Sequence, residues 1–396
     1  MSNPRAGIPA GVWTLGFVSL LMDASSELVH ALLPLYMVGA LGASMLVVGV
    51  VEGVAEAIAL FVRLFSGYWS DALARRKPLV ALGYGLGALS KLAFPLATAL
   101  EVVIAARFVD RVGKGIRGAP RDALIADLTP PPVRGAAFGL RQSLDSAGAV
   151  IGPLLAIGAL GYFAGNFRQA FWVAVPPAAI CVALLWLGVR DAEARADDPR
   201  RKLSWRDARQ LDRRFVIVTT IASVLTLARF SEAFLVLRGQ DVGLGTQGAP
   251  WVMVAMTIVY AGCAWPAGRL ADRGHAKLLL AAGLAALVAS DLTLAFAANV
   301  PGVLAGACLW GLHMALTQGL LAALVAAAAP PQLRGTAFGV FAVASGGALL
   351  VASALAGYLW QSIGPSATFL AGAAFAAIAG AALATQLRGM PRLGGR

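Results

Sequence analysis

The sequence contains few charged residues. They make up 13% of its 396 residues, whereas 59% of the residues are hydrophobic. A soluble domain of ordinary composition carries about 25% charged residues. Apolar runs of about 20 residues, the length that an α-helix needs to cross a bilayer, recur along the whole chain. The sequence therefore predicts an all-α membrane protein with many spans rather than a soluble domain.

Cysteine and histidine are also scarce, with three residues of each. They are Cys181, Cys263, Cys308, His30, His275 and His313. The cysteines lie in apolar segments without metal-ligand spacing, so we expect them to fill the core. The run GKGIRG (Gly113–Gly118) lacks the Gly-Lys-Ser/Thr ending and the preceding strand of a phosphate-binding loop. These features argue against an enzyme and against ATP-driven transport, and we expect no cofactor.

The formal charge of +12 would suggest a nucleic-acid partner in a soluble protein. Here the basic residues gather in alternate loops, as they do on the cytoplasmic side of a membrane protein. These loops hold Arg5, Arg75, Arg76, Lys77, Arg134, Arg273, Lys277, Arg334, Arg388, Arg392 and Arg396, together with the basic run around 195–214. We therefore expect both termini in the cytoplasm, an inner-membrane location and no nucleic-acid partner. The first apolar segment is too long for a signal peptide and contains carboxylates, so we expect it to be retained.

The apolar segments predict twelve transmembrane helices. The predicted spans are 11–40, 45–70, 78–98, 101–127, 134–162, 168–189, 214–238, 250–273, 277–298, 301–328, 334–361 and 365–386. The charged segment between the sixth and seventh spans predicts a cytoplasmic linker. It divides the chain into an N-terminal six-helix bundle (1–190), the linker (191–213) and a C-terminal six-helix bundle (214–396).

The two predicted halves resemble each other in sequence. Pro131–Gly139 (PPVRGAAFG) and Pro330–Gly339 (PPQLRGTAFG) share Arg-Gly-x-Ala-Phe-Gly at an offset of 200 residues, and Asp71 corresponds to Asp272 at an offset of 201. Two independent matches at nearly one offset indicate a duplicated unit. Parallel six-helix repeats related by a pseudo-two-fold axis are typical of transporters that bind their solute between two halves.

Three motifs in this framework resemble those of the major facilitator superfamily. The first is Gly67-x-x-x-Asp71-x-x-x-Arg75-Arg76-Lys77, of which the second half keeps Asp272 and Arg273. The second and third are Arg111-Val-Gly-Lys114-Gly115 in helix four and Gly148-Ala-Val-Ile-Gly152-Pro153 in helix five, where Ala156 replaces the usual last glycine. The resemblance implies the twelve-helix fold of that family and alternating access. It also implies a cavity lined by helices one, four, seven and ten, with motifs typical of proton-coupled antiporters.

The physical properties of these motifs suggest their roles. Gly67 allows close helix approach, and Asp71 lies at a helix end where it can meet a basic partner, which predicts a gating contact in this loop. Gly148, Gly152 and Pro153 allow helix five to pack tightly and to bend, so we expect a hinge there.

The first predicted helix carries charged residues midway along its apolar length. Asp23, Glu27 and His30 fall within roughly 60° of one another on a helix. A charge at the centre of a membrane helix costs ~2.5–3.5 kcal/mol on insertion scales, so such residues normally face a wet cavity or a charged partner. Bracing a neighbouring helix is the alternative role.

Helix four carries a second charged stripe about 120° wide. Its residues are Arg107, Asp110, Arg111, Lys114, Arg117 and Arg121. Counted at ~1.5 Å per residue from the cytoplasmic side, Asp23 and Glu27 lie at the same depth as Lys114 and Arg111, about 18–24 Å. We therefore hypothesise that Asp23 or Glu27 is the proton-coupling site and that Arg111 and Lys114 modulate it.

Further polar residues in helices seven and ten are candidates for the substrate cavity. Helix seven contributes Arg229 and Glu232, and helix ten contributes His313 and Gln318. A hydrogen-bonded packing role is the alternative for His313. A structural role is expected for Glu52, Glu56, Arg63, Lys91, Arg141 and Asp145, and Asp291 in helix nine has no explanation from the sequence.

These features predict a secondary transporter, working by proton-driven export. The charged cavity favours a small anionic or zwitterionic solute or a metal chelate. A divalent cation exporter using Asp23, Glu27 and His30 is a competing interpretation, since carboxylate and imidazole suit transition metals. A multidrug efflux antiporter and a receptor that does not transport are two further candidates. The expected partners are the solute, protons and the lipid bilayer, and we expect a monomer.

Overall fold

The computed structural model describes residues 7–72, 76–191, 211–329 and 333–387, which are helical almost throughout and contain no β-strand. The α-helices are α1 (Ala10–Gly39), α2 (Met45–Ala72), α3 (Lys77–Leu96), α4 (Leu100–Leu128), α5 (Arg134–Tyr162), α6 (Phe167–Phe171), α7 (Val175–Gly188), α8 (Arg213–Leu227), α9 (Ala233–Gly239), α10 (Gly245–Gly248), α11 (Trp251–Leu270), α12 (Ala276–Phe296), α13 (Val300–Ala328), α14 (Arg334–Ser362) and α15 (Pro365–Leu387). The all-α fold predicted from the sequence is confirmed.

Nine helical stretches among the described residues are long and apolar enough to cross a membrane. One of them, Trp251–Phe296, contains α11 and α12, which are separated by a turn at Gly274 (φ 88°). The nine stretches therefore represent ten of the twelve predicted spans. The remaining two spans are α4, which carries many charges, and the seventh span, which is interrupted. The multi-pass membrane character follows from these lengths and compositions.

The predicted seventh helix, 214–238, is broken in the structure. α8 ends at Leu227, α9 begins at Ala233, and the residues between them are not helical. Ser231 satisfies part of the interrupted backbone: its amide donates to Ser353 Oγ (3.1 Å), and its own Oγ accepts from the Ala233 amide (3.2 Å). A serine beside the break competes with the regular helix for backbone hydrogen bonds, which hydropathy alone does not reveal.

The internal repeat reappears in the helix boundaries. α4 and α13 begin 200 residues apart, at Leu100 and Val300, and each has 29 residues. α5 and α14 begin at Arg134 and Arg334 and also have 29 residues each. The correspondence extends beyond the motif that first indicated it, so the two halves share one arrangement of these helices.

The described residues form two compact units. The first unit holds those within Met1–Leu32 and Ile58–Lys202, and the second holds those within Leu33–Ala57 and Leu203–Arg396. The division at the linker 191–213 stays a prediction, and residues 192–210 of that linker lie outside the described residues.

One face of α1 is fixed in the core of the first unit. Val12, Leu15 and Val18 of α1 are fully buried and pack in one cluster with Tyr84 of α3 and Cys181 of α7. Within a membrane such side chains are stabilised by close van der Waals packing rather than by removal from water. This core holds the first half of α1 in place and thereby positions the polar residues that follow it. Cys181 fills the core, as predicted.

Candidate functional site

The charged residues of α1 lie midway along a 30-residue apolar helix. Asp23 and Glu27 are partly exposed, whereas His30 is buried. Glu27 Oε2 lies 3.4 Å from His30 Nδ1, one turn away on the same helix. The imidazole lowers the cost of keeping Glu27 within the helix bundle.

The glycines of α5 bring that helix against the two carboxylates. A Cβ on Gly148 would lie 2.5 Å from the Leu20 carbonyl oxygen and 3.1 Å from Asp23 Cβ, and one on Gly152 would lie 2.6 Å from Glu27 Cβ. Neither position has room for a methyl group. These two glycines therefore set how closely α5 approaches Asp23 and Glu27, and the hinge expected at them stays a prediction.

The charged stripe of α4 is largely buried. Arg107, Asp110, Arg111 and Arg117 are at most 3% exposed, and Lys114 is exposed. A Cβ on Gly83 of α3 would lie 2.7 Å from the Gly113 carbonyl oxygen, so α3 and α4 are in backbone contact at this depth. The stripe therefore faces protein rather than lipid over most of its length.

The structure assigns Asp110 a partner that the sequence did not reveal. Lys91 Nζ of α3 lies 2.6 Å from Asp110 Oδ1, and both side chains are buried. Ser90 adds a contact of 3.5 Å from its Oγ to the same oxygen. Removing one partner of such a pair strongly destabilises the protein, because the other charge stays buried without compensation. Lys91, expected to be structural, thus neutralises one predicted cavity residue.

Four other α4 cations interact with the carboxylates of α1. The charges of Lys114 and Arg111 act on Glu27, and those of Arg117, Lys114 and Arg121 act on Asp23. The Arg117 guanidinium also stacks 4.9 Å from the Tyr84 ring centroid, and its Nη1 is buried with no hydrogen-bond acceptor among the described residues. Asp23, Glu27 and the middle of α4 therefore form one electrostatic cluster within the first unit.

A second polar network lies nearer the C-terminal end of α4. Asp122 and Asp145 are surrounded by arginines from three helices. Of these contacts, the sequence indicated only the pair Arg141 and Asp145, one turn apart on α5. The contacts are Arg121 Nε–Asp122 Oδ1 (3.2 Å), Arg63 Nη2–Asp122 Oδ2 (3.3 Å), Arg141 Nη1–Asp145 Oδ2 (2.5 Å) and Arg121 Nη1–Asp145 Oδ1 (3.9 Å). Arg121 Nη1 also donates to Ser19 Oγ (3.0 Å), which connects the network to α1.

The first motif loop is anchored by two acidic residues that sequence reasoning missed. Arg76 Nε lies 2.6 Å from Asp127 Oδ2 at the end of α4, and the Arg76 and Lys77 amides donate to Asp191 Oδ1 (3.3 and 3.2 Å). A Cβ on Gly67 would meet Ala119 Cβ at an ordinary 3.4 Å. Close approach of α2 and α4 occurs instead at Gly115, where a Cβ would lie 2.6 Å from Val62.

The remaining predicted gating residues are either exposed or outside the part of the chain whose side chains the structure describes. Arg75 lies outside the described residues, and Asp71 lies in the last turn of α2 with its side chain not described. In the second motif loop Asp272 and Arg273 are exposed beside Gly274. The predicted gating contact of Asp71 therefore remains a prediction.

The predicted cavity residues of the second unit fall into two places. Arg229 and Glu232 lie within the break between α8 and α9, are partly exposed and interact electrostatically with each other. His313 is fully buried on α13, with Nδ1 2.8 Å from the Gly283 carbonyl oxygen and Thr317 Oγ1 3.5 Å from Nε2. Gln318, five residues further along, is partly buried. The hydrogen bonds of His313 are those of a packing residue.

The described residues do not gather a metal site. Among them, no group of three or more His, Cys, Asp or Glu side chains is placed to hold a metal ion. In particular, Asp23 does not join Glu27 and His30 in such a group. A site of two groups is a weak ligand set for a transition metal.

Comparison with known proteins agrees with the fold and the repeat. The family model of the Major Facilitator Superfamily matches residues 15–239 and 221–392. An uncharacterised MFS-type transporter of Methanocaldococcus jannaschii is 30% identical over 376 residues, covering 93% of each chain. The multidrug resistance protein MdtH of Photorhabdus laumondii is 27% identical, covering 86% of this chain and 84% of that protein.

A solved structure shows the same architecture at low sequence identity. A POT family transporter, crystallised in complex with a thioalcohol conjugated peptide, superimposes with a TM-score of 0.80 over 96% of both chains at 13% identity. At that identity the likeness concerns the fold alone. The matched family and fold are those of transporters, and the two family matches together cover both halves of the repeat. The chain is a multi-pass membrane protein that belongs to the major facilitator superfamily.

Proposed function

We propose that the protein is a proton-driven secondary transporter that exports a small anionic or zwitterionic solute, or a metal chelate, by alternating access. The observation that carries the proposal is the electrostatic cluster of the first unit. Together with the Lys91–Asp110 pair, it contains five cations, Lys91, Arg107, Arg111, Lys114 and Arg117, and three carboxylates, Asp23, Glu27 and Asp110. Arg121 and Asp145, which also act on Asp23, belong to the second polar network. The positive excess of this mostly buried cluster favours a solute with a negative group. The unsatisfied Arg117 Nη1 supplies a donor for such a group.

Asp23 and Glu27 are the proposed proton-coupling residues. Both are partly exposed, and both lie within range of α4 cations that stabilise their ionised forms. A solute with an ammonium group would compete with a proton for these carboxylates, while its acidic group would bind the α4 cations. Competition for one site is the requirement for exchange, so a zwitterion suits export against an inward proton flow.

Proteoliposomes containing a trapped pH-sensitive dye test the proposal directly. The probes are glycine, succinate, ferric citrate and ethidium, each added with and without an imposed pH gradient. We expect proton flux with the zwitterionic, anionic or chelate probes and none with ethidium. Asp23→Asn combined with Glu27→Gln should abolish proton flux, whereas Glu101→Gln, an exposed carboxylate in the first turn of α4, should leave it unchanged. Proton-coupled movement that survives the double variant would contradict the assignment.

A multidrug exporter is the second candidate, because relatives of this chain carry the name multidrug resistance protein. A hydrophobic cation would need an apolar, aromatic binding surface with an acidic anchor. The same proteoliposomes decide between the two candidates. Proton flux that occurs with ethidium but not with succinate or glycine favours drug export.

The proposed location is the inner membrane, with both termini in the cytoplasm. The arginines of the loops support this orientation.

A further inference from the structure

Asp291 is a carboxylate in the interior of the second unit that the proposed function does not use. It lies on α12 and is 0% exposed, and neither of its oxygens has a hydrogen-bond donor among the described residues. It forms no ion pair there either. Burying an ionised carboxylate with no partner is among the most costly arrangements in a protein, so the isolated group indicates a neutral acid.

The space around the carboxyl group is filled. A Cβ on Gly372 of α15 would lie 2.6 Å from Asp291 Oδ2 and 3.0 Å from Phe230 Cε1, so backbone and an aromatic ring pack directly against the acid. Phe230 lies in the break between α8 and α9, and its ring is 5.4 Å from that of Trp310 on α13. A hydrated metal ion or an organic cation has no room here, whereas a proton needs none.

The titratable groups on the surrounding helices do not neutralise Asp291. α15 contains none, and α13 contributes Cys308 and His313, of which His313 bonds to Gly283. The break contributes Arg229 and Glu232, which interact with each other and with Tyr260 of α11. Arg238 of α9 donates to the Leu294 and Ala297 carbonyl oxygens and pairs with Asp241. Lys277 lies at the far end of α12. No described cation is therefore available to stabilise a negative charge on Asp291.

We propose that Asp291 is a second proton-binding site, in the second unit, that holds its proton as a neutral carboxylic acid in this conformation. The break at Ala228–Glu232 is the adjoining non-helical segment, and a rearrangement of it would give the acid access to water. Irregular backbone within a membrane protein is tolerated where it is enclosed by protein or lines a hydrated passage. The use of this proton in a transport cycle rests on the proposed function, but its presence on Asp291 does not.

Infrared spectroscopy of the purified full-length protein, without solute or gradient, tests the proposal. A protonated carboxyl group in an apolar site gives a C=O stretch that is separate from the amide band. We expect this band in the wild type near neutral pH, its loss in Asp291→Asn, and a shifted band in Asp291→Glu. It should persist in Asp23→Asn combined with Glu27→Gln and in Glu101→Gln. Absence of the band from the wild type, or its persistence unchanged in both Asp291 variants, would overturn the proposal.

The double variant of α1 and the substitutions of Asp291 also distinguish this proposal from the proposed function. If Asp23→Asn with Glu27→Gln keeps proton coupling while the Asp291 band is present, the coupling assignment fails and this inference stands. If proton coupling is lost in that double variant and the band is unaffected by either Asp291 substitution, the coupling assignment stands and this inference fails. Should Asp291→Asn fold poorly, the band position in Asp291→Glu gives the decision alone.

Discussion

The repeated helix pairs α3–α4 and α12–α13 have the same close helix contact but different polar side chains at their centres. In both pairs a glycine, Gly83 or Gly283, lies tightly against the neighbouring helix. At an offset of 200 residues Lys91 corresponds to Asp291, and Asp110 corresponds to Trp310. The first pair holds a buried ion pair, whereas the second holds an isolated acid and an indole whose Nε1 has no acceptor among the described residues.

This difference shows that two copies of a duplicated unit can keep the same packing while their central charged groups diverge. Close packing between the helices is kept in both pairs, because small residues at the contact stabilise membrane helices regardless of the function. The charge at the centre is free to change if each half finds its own way to neutralise it. The first half does so with an opposite charge and the second, as we infer, with a proton.

The largest expected effect comes from breaking the ion pair of the first half. Asp110→Asn leaves Lys91 buried without an opposite charge, and we expect a loss of about 3–5 kcal/mol in the free energy of unfolding. Unfolding of the purified protein in mixed micelles measures it. The double variant Lys91→Met with Asp110→Leu should recover most of this loss, since it removes both charges. A single variant as stable as the wild type would show that the pair is not isolated from water.

The glycines of α5 provide the second test. Gly152 corresponds to Ala352 in the second half, so Gly152→Ala introduces the residue that the repeat carries there. A methyl group 2.6 Å from Glu27 Cβ should displace α1 from α5 at a cost of about 1–3 kcal/mol and reduce proton coupling. Gly158→Ala, on the same helix with nothing within 4 Å, is the matched control and should be neutral or slightly stabilising. Equal effects of the two substitutions would contradict the close approach.

The third prediction contrasts the two buried carboxyl groups. Asp291→Asn should cost far less stability than Asp110→Asn near neutral pH, because an amide replaces a neutral acid. A folded state that keeps a proton which the unfolded chain has lost becomes less stable as pH rises, by about 1.4 kcal/mol per pH unit. Stability of the wild type should therefore fall relative to Asp291→Asn with rising pH. Parallel curves from thermal unfolding over a pH series would count against a retained proton.

The smallest expected effect concerns the two motif loops. Arg76→Ala removes the ion pair with Asp127, whose side chains are 24% and 28% exposed, and should cost about 0.2–1 kcal/mol. The loss should shrink at high salt because exposed charges are screened. Arg273→Ala alters an exposed residue of the second loop and serves as the comparison. Thermal unfolding at low and high salt measures both, and a larger loss for Arg273→Ala would reverse the predicted asymmetry.

Much of the site could be predicted residue by residue, but its pairing could not. Helical periodicity placed Asp23, Glu27 and His30 on one face, because that spacing is a property of any α-helix. The partners of Asp110 and Arg76 depend on which neighbouring helix approaches and at what height, whereas Arg141 pairs with Asp145 one turn along the same helix. Lys91 is 19 residues from Asp110, and Asp127 is 51 residues from Arg76. No local pattern encodes contacts at such sequence separations. Counting depth along the helices matched the charges of α4 with those of α1, but it missed the contact between Lys91 of α3 and Asp110.

The break in the seventh span shows the same limit for the fold. Hydropathy alone favours a continuous helix through Ala228–Glu232, and only the hydrogen bond from the Ser231 amide to Ser353 explains how an interruption is tolerated. Asp291 was visible in the sequence as an anomaly without a role.

Composition, periodicity and the repeated motifs by themselves determined that this chain is a duplicated set of membrane helices, with an acidic stripe on the first helix and a basic stripe on the fourth. These features follow from the cost of exposing polar groups to lipid, which acts on every segment separately. Only the tertiary structure decided which charges are paired, which glycines permit contact and which acid is left alone. Those outcomes depend on the approach of helices that are distant in sequence, where a difference of one methyl group or one missing donor changes the result.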